Sequence, residues 1–197
     1  MGTEEEEKTS PLWGGRSAKR FGWGERTCGW VTPHPKNPSD FSTSPQGGGQ
    51  VVAIARAWIG TPYLHQASVK GAGCDCLGLL RGVWRELRGA EPEPLAPYSP
   101  DWAEATGEET LCCGLARHLE EIAPAGIAAG DIALFRMARR GPAKHCGIVA
   151  ARGGALTLIH ARHNRRVSEE RLTQPWRRKL AFAFRLPAIG SNGVGEP

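Results

Sequence analysis

Gly73-Cys74-Asp75-Cys76-Leu77-Gly78-Leu79-Leu80 is the stretch that decides how this chain folds. From Cys76 onward the apolar residues Leu79, Leu80, Val83, Trp84 and Leu87 recur at helical spacing. That pattern predicts a helix with one core face and its first turn at the solvent end. Asp75 is a good N-cap, and Gly89 stops the helix. A thiol at such a terminus meets unpaired backbone N–H groups and the positive end of the helix dipole, which favour thiolate. Cys76 is therefore read as a nucleophile. Only about a few per cent of an ordinary thiol is ionised at neutral pH, so a neighbouring imidazole is required as well.

Two histidines stand in the right setting. Asp131-Ile132-Ala133-Leu134-Phe135-Arg136 reads as a strand after an Ala-Gly turn, and Lys144-His145-Cys146-Gly147-Ile148-Val149-Ala150 reads as the next. Ala155-Leu156-Thr157-Leu158-Ile159-His160-Ala161 follows across Gly153-Gly154, a strong hairpin signal. His145 opens one antiparallel strand and His160 closes its neighbour, so both belong at one edge of the sheet. That geometry suits a base and the group that orients it.

In these residues the chain resembles the NlpC-type cell-wall endopeptidases, whose fold is papain-like. The matching segments are Trp58-Ile59-Gly60-Thr61-Pro62-Tyr63, Asp75-Cys76-Leu77-Gly78-Leu79, Ala129-Gly130-Asp131-Ile132-Ala133, His145-Cys146-Gly147-Ile148-Val149 and Ile159-His160-Ala161. The resemblance implies that Cys76 is the nucleophile, His145 the general base and His160 the residue that orients the imidazole. It also implies that Tyr63 lies near the oxyanion site. The substrate it implies is a peptidoglycan stem peptide, cut through a thioester at the bond between D-glutamate and diaminopimelate. An amidase cut between sugar and peptide, an acyltransferase using the same thioester, and a non-catalytic tail structural protein remain alternatives on this fold. The Gly-Cys-Asp-Cys-Leu-Gly-Leu wording is similar to the tail-associated cell-wall peptidases of phages and gene transfer agents. Two positions depart from the family pattern: Leu77 stands where serine is usual, and Cys146 where an aliphatic residue is usual.

The expected fold class is α+β. Helices are expected at about Gln50 to Trp58, along the Cys76 segment, and between Glu108 and Ile122. Strands are expected at about Asp131 to Met137, His145 to Arg152, Ala155 to Ala161, Arg165 to Glu169 and Leu180 to Leu186. Helices followed by strands give helices packed on an antiparallel sheet. The Pro-rich stretch from Glu91 to Pro100 is read as a loop that walls the substrate cleft. With 197 residues and 40% hydrophobic content, one domain is expected, spanning residues 50–190 with a tail at 191–197. Residues 1–49 are rich in Gly, Pro, Ser and charge without periodicity. Two readings of them stand: a disordered or extended leader, or a start assigned too early.

No run reaches the ~18 apolar residues of a membrane span, and Glu4-Glu5-Glu6-Glu7 is the opposite of a basic signal-peptide start. Synthesis in the cytoplasm without a cleavable signal is expected. Assembly into a phage-like particle follows, with tail-tip or baseplate proteins as partners and action in the periplasm or wall of a target cell. The net charge of +5 gathers in Arg139, Arg140 and Lys144 before His145 and in Arg162 beyond His160, which suits a carboxylate-bearing peptide. Nucleic acid is not an expected partner, because no recognition motif accompanies the charge. No metal or other cofactor is called for: the six cysteines lack the paired Cys-x-x-Cys knuckles of zinc sites, and Cys112 and Cys113 read as small core residues.

Overall fold

In the computed structural model of the chain, the described residues are 45–99 and 107–187. The leader, apart from its last five residues, and the tail at 191–197 lie outside them. Period-two alternation in the strands builds the centre of the molecule. In β4 (Ile132–Phe135), Ile132 and Leu134 join one buried cluster, while Ala133 and Phe135 join another on the opposite face. In β5 (His145–Arg152), Cys146, Ile148 and Ala150 belong to the first cluster and Val149 to the second. Both faces are covered, so β4 is buried along its whole length.

The first cluster is roofed by α1 (Pro45–Arg56) and α2 (Cys76–Arg88), which pack on each other and on β5. Leu79 and Val83 of α2 are fully buried there, each burial stabilising by roughly 2 kcal/mol. A two-stranded ribbon of β1 (Ser68–Val69) and β2 (Gly73–Cys74) precedes α2. A short helix α3 (Thr110–Ala116) and β3 (Glu120–Ile122) lead into β4. After β5 come β6 (Ala155–His160), β7 (Ser168–Arg171), α4 (Gln174–Arg177) and β8 (Leu180–Arg185). The main sheet runs β3-β8-β4-β5-β6-β7, with every neighbouring pair antiparallel. The α+β architecture is the one expected, and Gly153 and Gly154, at φ 57° and 75°, make the tight turn between β5 and β6.

Several boundaries differ from the expectation. α1 begins at Pro45, five residues before Gln50 and outside the expected 50–190 domain, because the glycine-rich first turn carries no apolar residue from which periodicity is read. The helix expected to reach Ile122 ends at Ala116, and Glu120–Ile122 pairs instead with β8. Pairing with an open strand edge overrides local helical spacing there. The strand expected from Arg165 begins at Ser168, because Val167 is taken by the loop after α1. Its N–H donates to Thr61 O at 2.8 Å, and its carbonyl accepts from Gly60 N at 2.9 Å. Among the described residues, no helix is long and apolar enough to cross a membrane.

Candidate active site

Asp75 fixes the mouth of α2. Its Oδ1 accepts from Gly78 N at 2.7 Å, while Oδ2 accepts from Gln66 N at 2.7 Å and from the Tyr98 hydroxyl at 2.5 Å. Asp75 is buried. Burial and then the neighbouring Cys76 charge push its carboxyl up, against the pull of these hydrogen bonds. It acts as a cap and anchor. With Gly78 N bound by the cap and Leu79 N bound to Asp75 O at 2.9 Å, the N–H groups of Cys76 and Leu77 are those the first turn leaves without intrahelical partners.

The two neighbouring thiols of the motif are opposites. Cys74 is fully buried, and its thiol is pushed up to about 12 by burial, then by the charges of Asp75 and Cys76. Cys76 is partly exposed. Its thiol is held well below the ordinary value, first by a hydrogen bond from Cys146, then, against its burial, by hydrogen bonding and charge from His145 and by the Cys146 backbone. The distinction between Cys74 and Cys76 is thus environmental.

His145 begins β5 opposite Phe135, the last residue of β4, and so lies at the sheet end. Its Nε2 is 2.9 Å from Nδ1 of His160. His160 is fully buried, and its pKa is lowered to about 3 by burial, then by the charges of His145 and Arg162. Beyond it, Nε2 of His160 is 2.8 Å from Oε1 of Glu170 on β7. The approach lies off the N–H axis, so neither atom completes a hydrogen bond. The indole of Trp176, on α4, stacks on His145 at 5.7 Å and 28° and meets His160 edge-on at 5.0 Å. His145 thus meets the buried His160 through Nε2 and is among the groups that lower the Cys76 thiol at the mouth of α2.

Tyr63 is bridged to Cys74 and half-buried, with its ring edge-on to His163 at 5.2 Å. Burial, then the charges of Asp75 and Cys76, raise its phenol, so it stays a hydroxyl donor. Of the expected basic residues, Arg162 lies beside the histidine pair, 5.8 Å over the Trp176 ring and 3.7 Å from Glu170. Arg139 and Arg140 are exposed in the β4–β5 turn, and Lys144 precedes His145. The loop after α2 supplies Tyr98 beneath Asp75, and its Pro92 and Leu95 line an apolar pocket with Leu77, Leu80, Trp84 and Leu115. Cys112 is fully buried and Cys113 half-buried. Among the described residues, no three His, Cys, Asp or Glu side chains are grouped to hold a metal ion.

Sequence reasoning assigned no role to Trp176, Glu170, Tyr98 or Cys146. A tryptophan after Gln-Pro carries no periodic signal, and Glu170 is recognisable only from the β6–β7 register, where His160 pairs with Ser168 and Leu158 with Glu170. Cys146 was visible as an unusual residue beside His145.

No family model matches the chain. It is 29% identical over 131 residues to the gamma-DL-glutamyl hydrolase of Bacillus subtilis (strain 168), a match covering 66% of this chain and 27% of that protein. The chain thus spans about a quarter of the length of that curated relative. Among solved structures, an NlpC/P60 family protein from Bacillus cereus ATCC 10987 superimposes with a TM-score of 0.51 at 20% identity, covering 71% of this chain and 40% of that one. A lipoprotein-like NLP/P60 protein from Staphylococcus aureus subsp. aureus Mu50 gives 0.50 at 18% identity, covering 74% and 43%. The chain has the NlpC/p60 fold.

Proposed function

We propose that this chain is a cysteine peptidase that hydrolyses peptidoglycan stem peptides. The observation that carries the reading is the His145–His160 pair, its nitrogens 2.9 Å apart at the sheet end, together with a thiol at the first residue of α2 that lies below its ordinary value with His145 among the causes. In the proposed reaction His145 takes the Cys76 proton and the thiolate attacks an amide carbonyl. The N–H groups opening α2 and the Tyr63 hydroxyl receive the oxyanion. His145 then returns the proton to the leaving amine, and a thioester remains on Cys76. Water, deprotonated by His145, releases the acid.

The bond proposed is the γ-linkage from D-glutamate to diaminopimelate, a reading supported by the name of the glutamyl hydrolase to which the chain is similar. Arg162, with Arg139, Arg140 and Lys144 around the same sheet end, would meet the carboxylates of the stem. Incubating the protein with isolated peptidoglycan and analysing the soluble products by mass spectrometry tests this. New amino termini on diaminopimelate are expected. Intact stems with free L-alanine termini would establish an amidase instead, and no release would leave a binding protein.

The finer reading, carried on the wording from Gly73 to Leu79, is an enzyme borne on a phage-like tail. It predicts that the protein co-purifies with particles and is enriched in their tail fraction. Its absence from purified particles of the producing cells would refute this.

A further inference from the structure

We infer that Trp176 is a positioning residue that sets the ring plane of His145, holding its Nε2 on His160 and leaving its other nitrogen for the proton of the proposed reaction. The inference rests on the proposed role of His145 as base. An imidazole at a strand end turns about both of its side-chain bonds, and the 2.9 Å contact with Nδ1 of His160 tethers only one of its nitrogens. A hydrogen bond alone leaves the ring free to pivot about that tether. The indole removes this freedom. It lies 5.7 Å from His145 at 28°, an offset stack, and meets His160 edge-on at 5.0 Å and 77°. One ring thus contacts both members of the pair.

The indole is itself held from several sides. His145 pairs with Phe135 across β4 and β5, and Phe135 meets Trp176 edge-on at 4.9 Å. The charged ends of Arg162 and Lys179 lie 5.8 and 6.0 Å from its ring centroid. Arg136 N donates to Lys179 O at 2.8 Å, which ties the chain leaving α4 to the end of β4. At the same place the β4–β8 register slips: Leu134 pairs with Phe182 and Phe135 with Leu180, so Ala181 is the extra residue of a bulge. A bulge bends its strand and re-aims side chains, and this one falls where β8 follows α4, beside Phe135. None of the residues of α4 is fully buried, and Trp176 is half-buried. The short helix therefore adds little core of its own, and what it brings to the histidines is the indole.

The test compares Trp176→Phe, which keeps a flat ring, with Trp176→Leu, which keeps apolar bulk alone. The N–H shared by His145 and His160 is followed by 15N NMR with no wall substrate present, so failure of the hydrolase reading and failure of this inference are distinguishable. Its resonance should persist at neutral pH in the unaltered protein and in Trp176→Phe, and should be lost to exchange with water in Trp176→Leu. With purified peptidoglycan, Trp176→Leu should lose kcat by about threefold to tenfold, the scale of one aromatic contact, with KM little changed and Trp176→Phe recovering most of the loss. A packing role treats Phe and Leu alike, so equal N–H signals in the two folded variants, whether kept or lost, would overturn the inference. In the unaltered protein, 13C relaxation should show the His145 ring as rigid as the backbone of β5. A freely turning ring would overturn the inference without any variant.

Discussion

Nε2 of His145 and Nδ1 of His160 stand 2.9 Å apart, although 15 positions separate them in the chain. The contact requires one of the two nitrogens to carry the shared proton. With its pKa lowered to about 3, His160 is neutral near pH 7. Glu170, 2.8 Å from its Nε2 but off the N–H axis, completes no hydrogen bond there; its charge alone favours the proton on that nitrogen and leaves Nδ1 as an acceptor. His145 then donates from Nε2, and its Nδ1 is the nitrogen left for the Cys76 proton.

From this order, His145→Ala should lose hydrolysis by about 10³-fold or more, since it removes the proposed base, whereas His160→Ala should lose less because its proposed role is orientation. His160→Asn, which keeps a side-chain acceptor, should recover part of the loss in kcat with KM little changed. Rates of fragment release from purified peptidoglycan check the series. A His145→Ala variant as active as the parent would remove His145 from the mechanism.

The depressed pKa of His160 also predicts an acid limb of stability. Its ordinary value is 6.5 and its folded value about 3, so between these the unfolded chain binds the extra proton and stability falls as pH falls. Glu169 adds a second, lower window. Hydrogen bonding from Arg56, then from Thr157, holds its carboxyl at about 2 against an ordinary 4.5, so its contribution is lost as pH drops below 4.5. Melting curves of His160→Asn should be flat where the parent declines from pH 6.5 to 4.5 and should decline below that. The same decline above pH 4.5 in both proteins would place its source elsewhere.

Cys76→Ala should abolish hydrolysis and leave unfolding cooperative, because a partly exposed thiol at a helix mouth contributes little packing. Cys74→Ala should behave in reverse. Its side chain is fully buried, and removing it should lower stability by about 1 kcal/mol while activity per folded molecule stays near that of the parent. Activity assays beside thermal melts of the two variants separate them. Loss of activity confined to Cys74→Ala would reverse the assignment.

Much of this site was legible in the sequence because its parts are local. The cap, the helix periodicity and the Gly153-Gly154 hairpin each lie within a dozen residues of what they position, and together they set Cys76 at a helix mouth and bring β5 beside β6. What escaped depends on long-range placement. Trp176 reaches the histidines from a four-residue helix between β7 and β8, and Tyr98 reaches Asp75 from a loop 23 residues on. Glu120–Ile122 became a strand only because β8 offered an edge. None of these contacts leaves a periodic trace in the segment that makes it.

Gly78 gives a last prediction, one that separates placement of the proposed nucleophile, Cys76, from stability at large. A Cβ built on Gly78 would fall 1.8 Å from the Ala67 carbonyl oxygen and 3.1 Å from Oδ1 of Asp75. The first obstacle is backbone, so in Gly78→Ala the first turn of α2 must shift, carrying Cys76 away from His145. Gly82, one turn later, is equally tight, but its Cβ would meet the Trp58 ring at 2.0 Å, at a place remote from the reacting sulfur. Both substitutions overpack the interior and should cost roughly 1–3 kcal/mol. Assayed well below their melting temperatures, Gly82→Ala should keep most of its kcat, while Gly78→Ala should lose ~10²-fold or more, as expected for a displacement of about 1 Å at a reacting group. Alkylation of Cys76 gives a second readout, with its pH inflection raised in Gly78→Ala and unchanged in Gly82→Ala. If the two folded variants retain equal kcat, the close approach of Ala67 to α2 serves packing alone and does not aim the nucleophile.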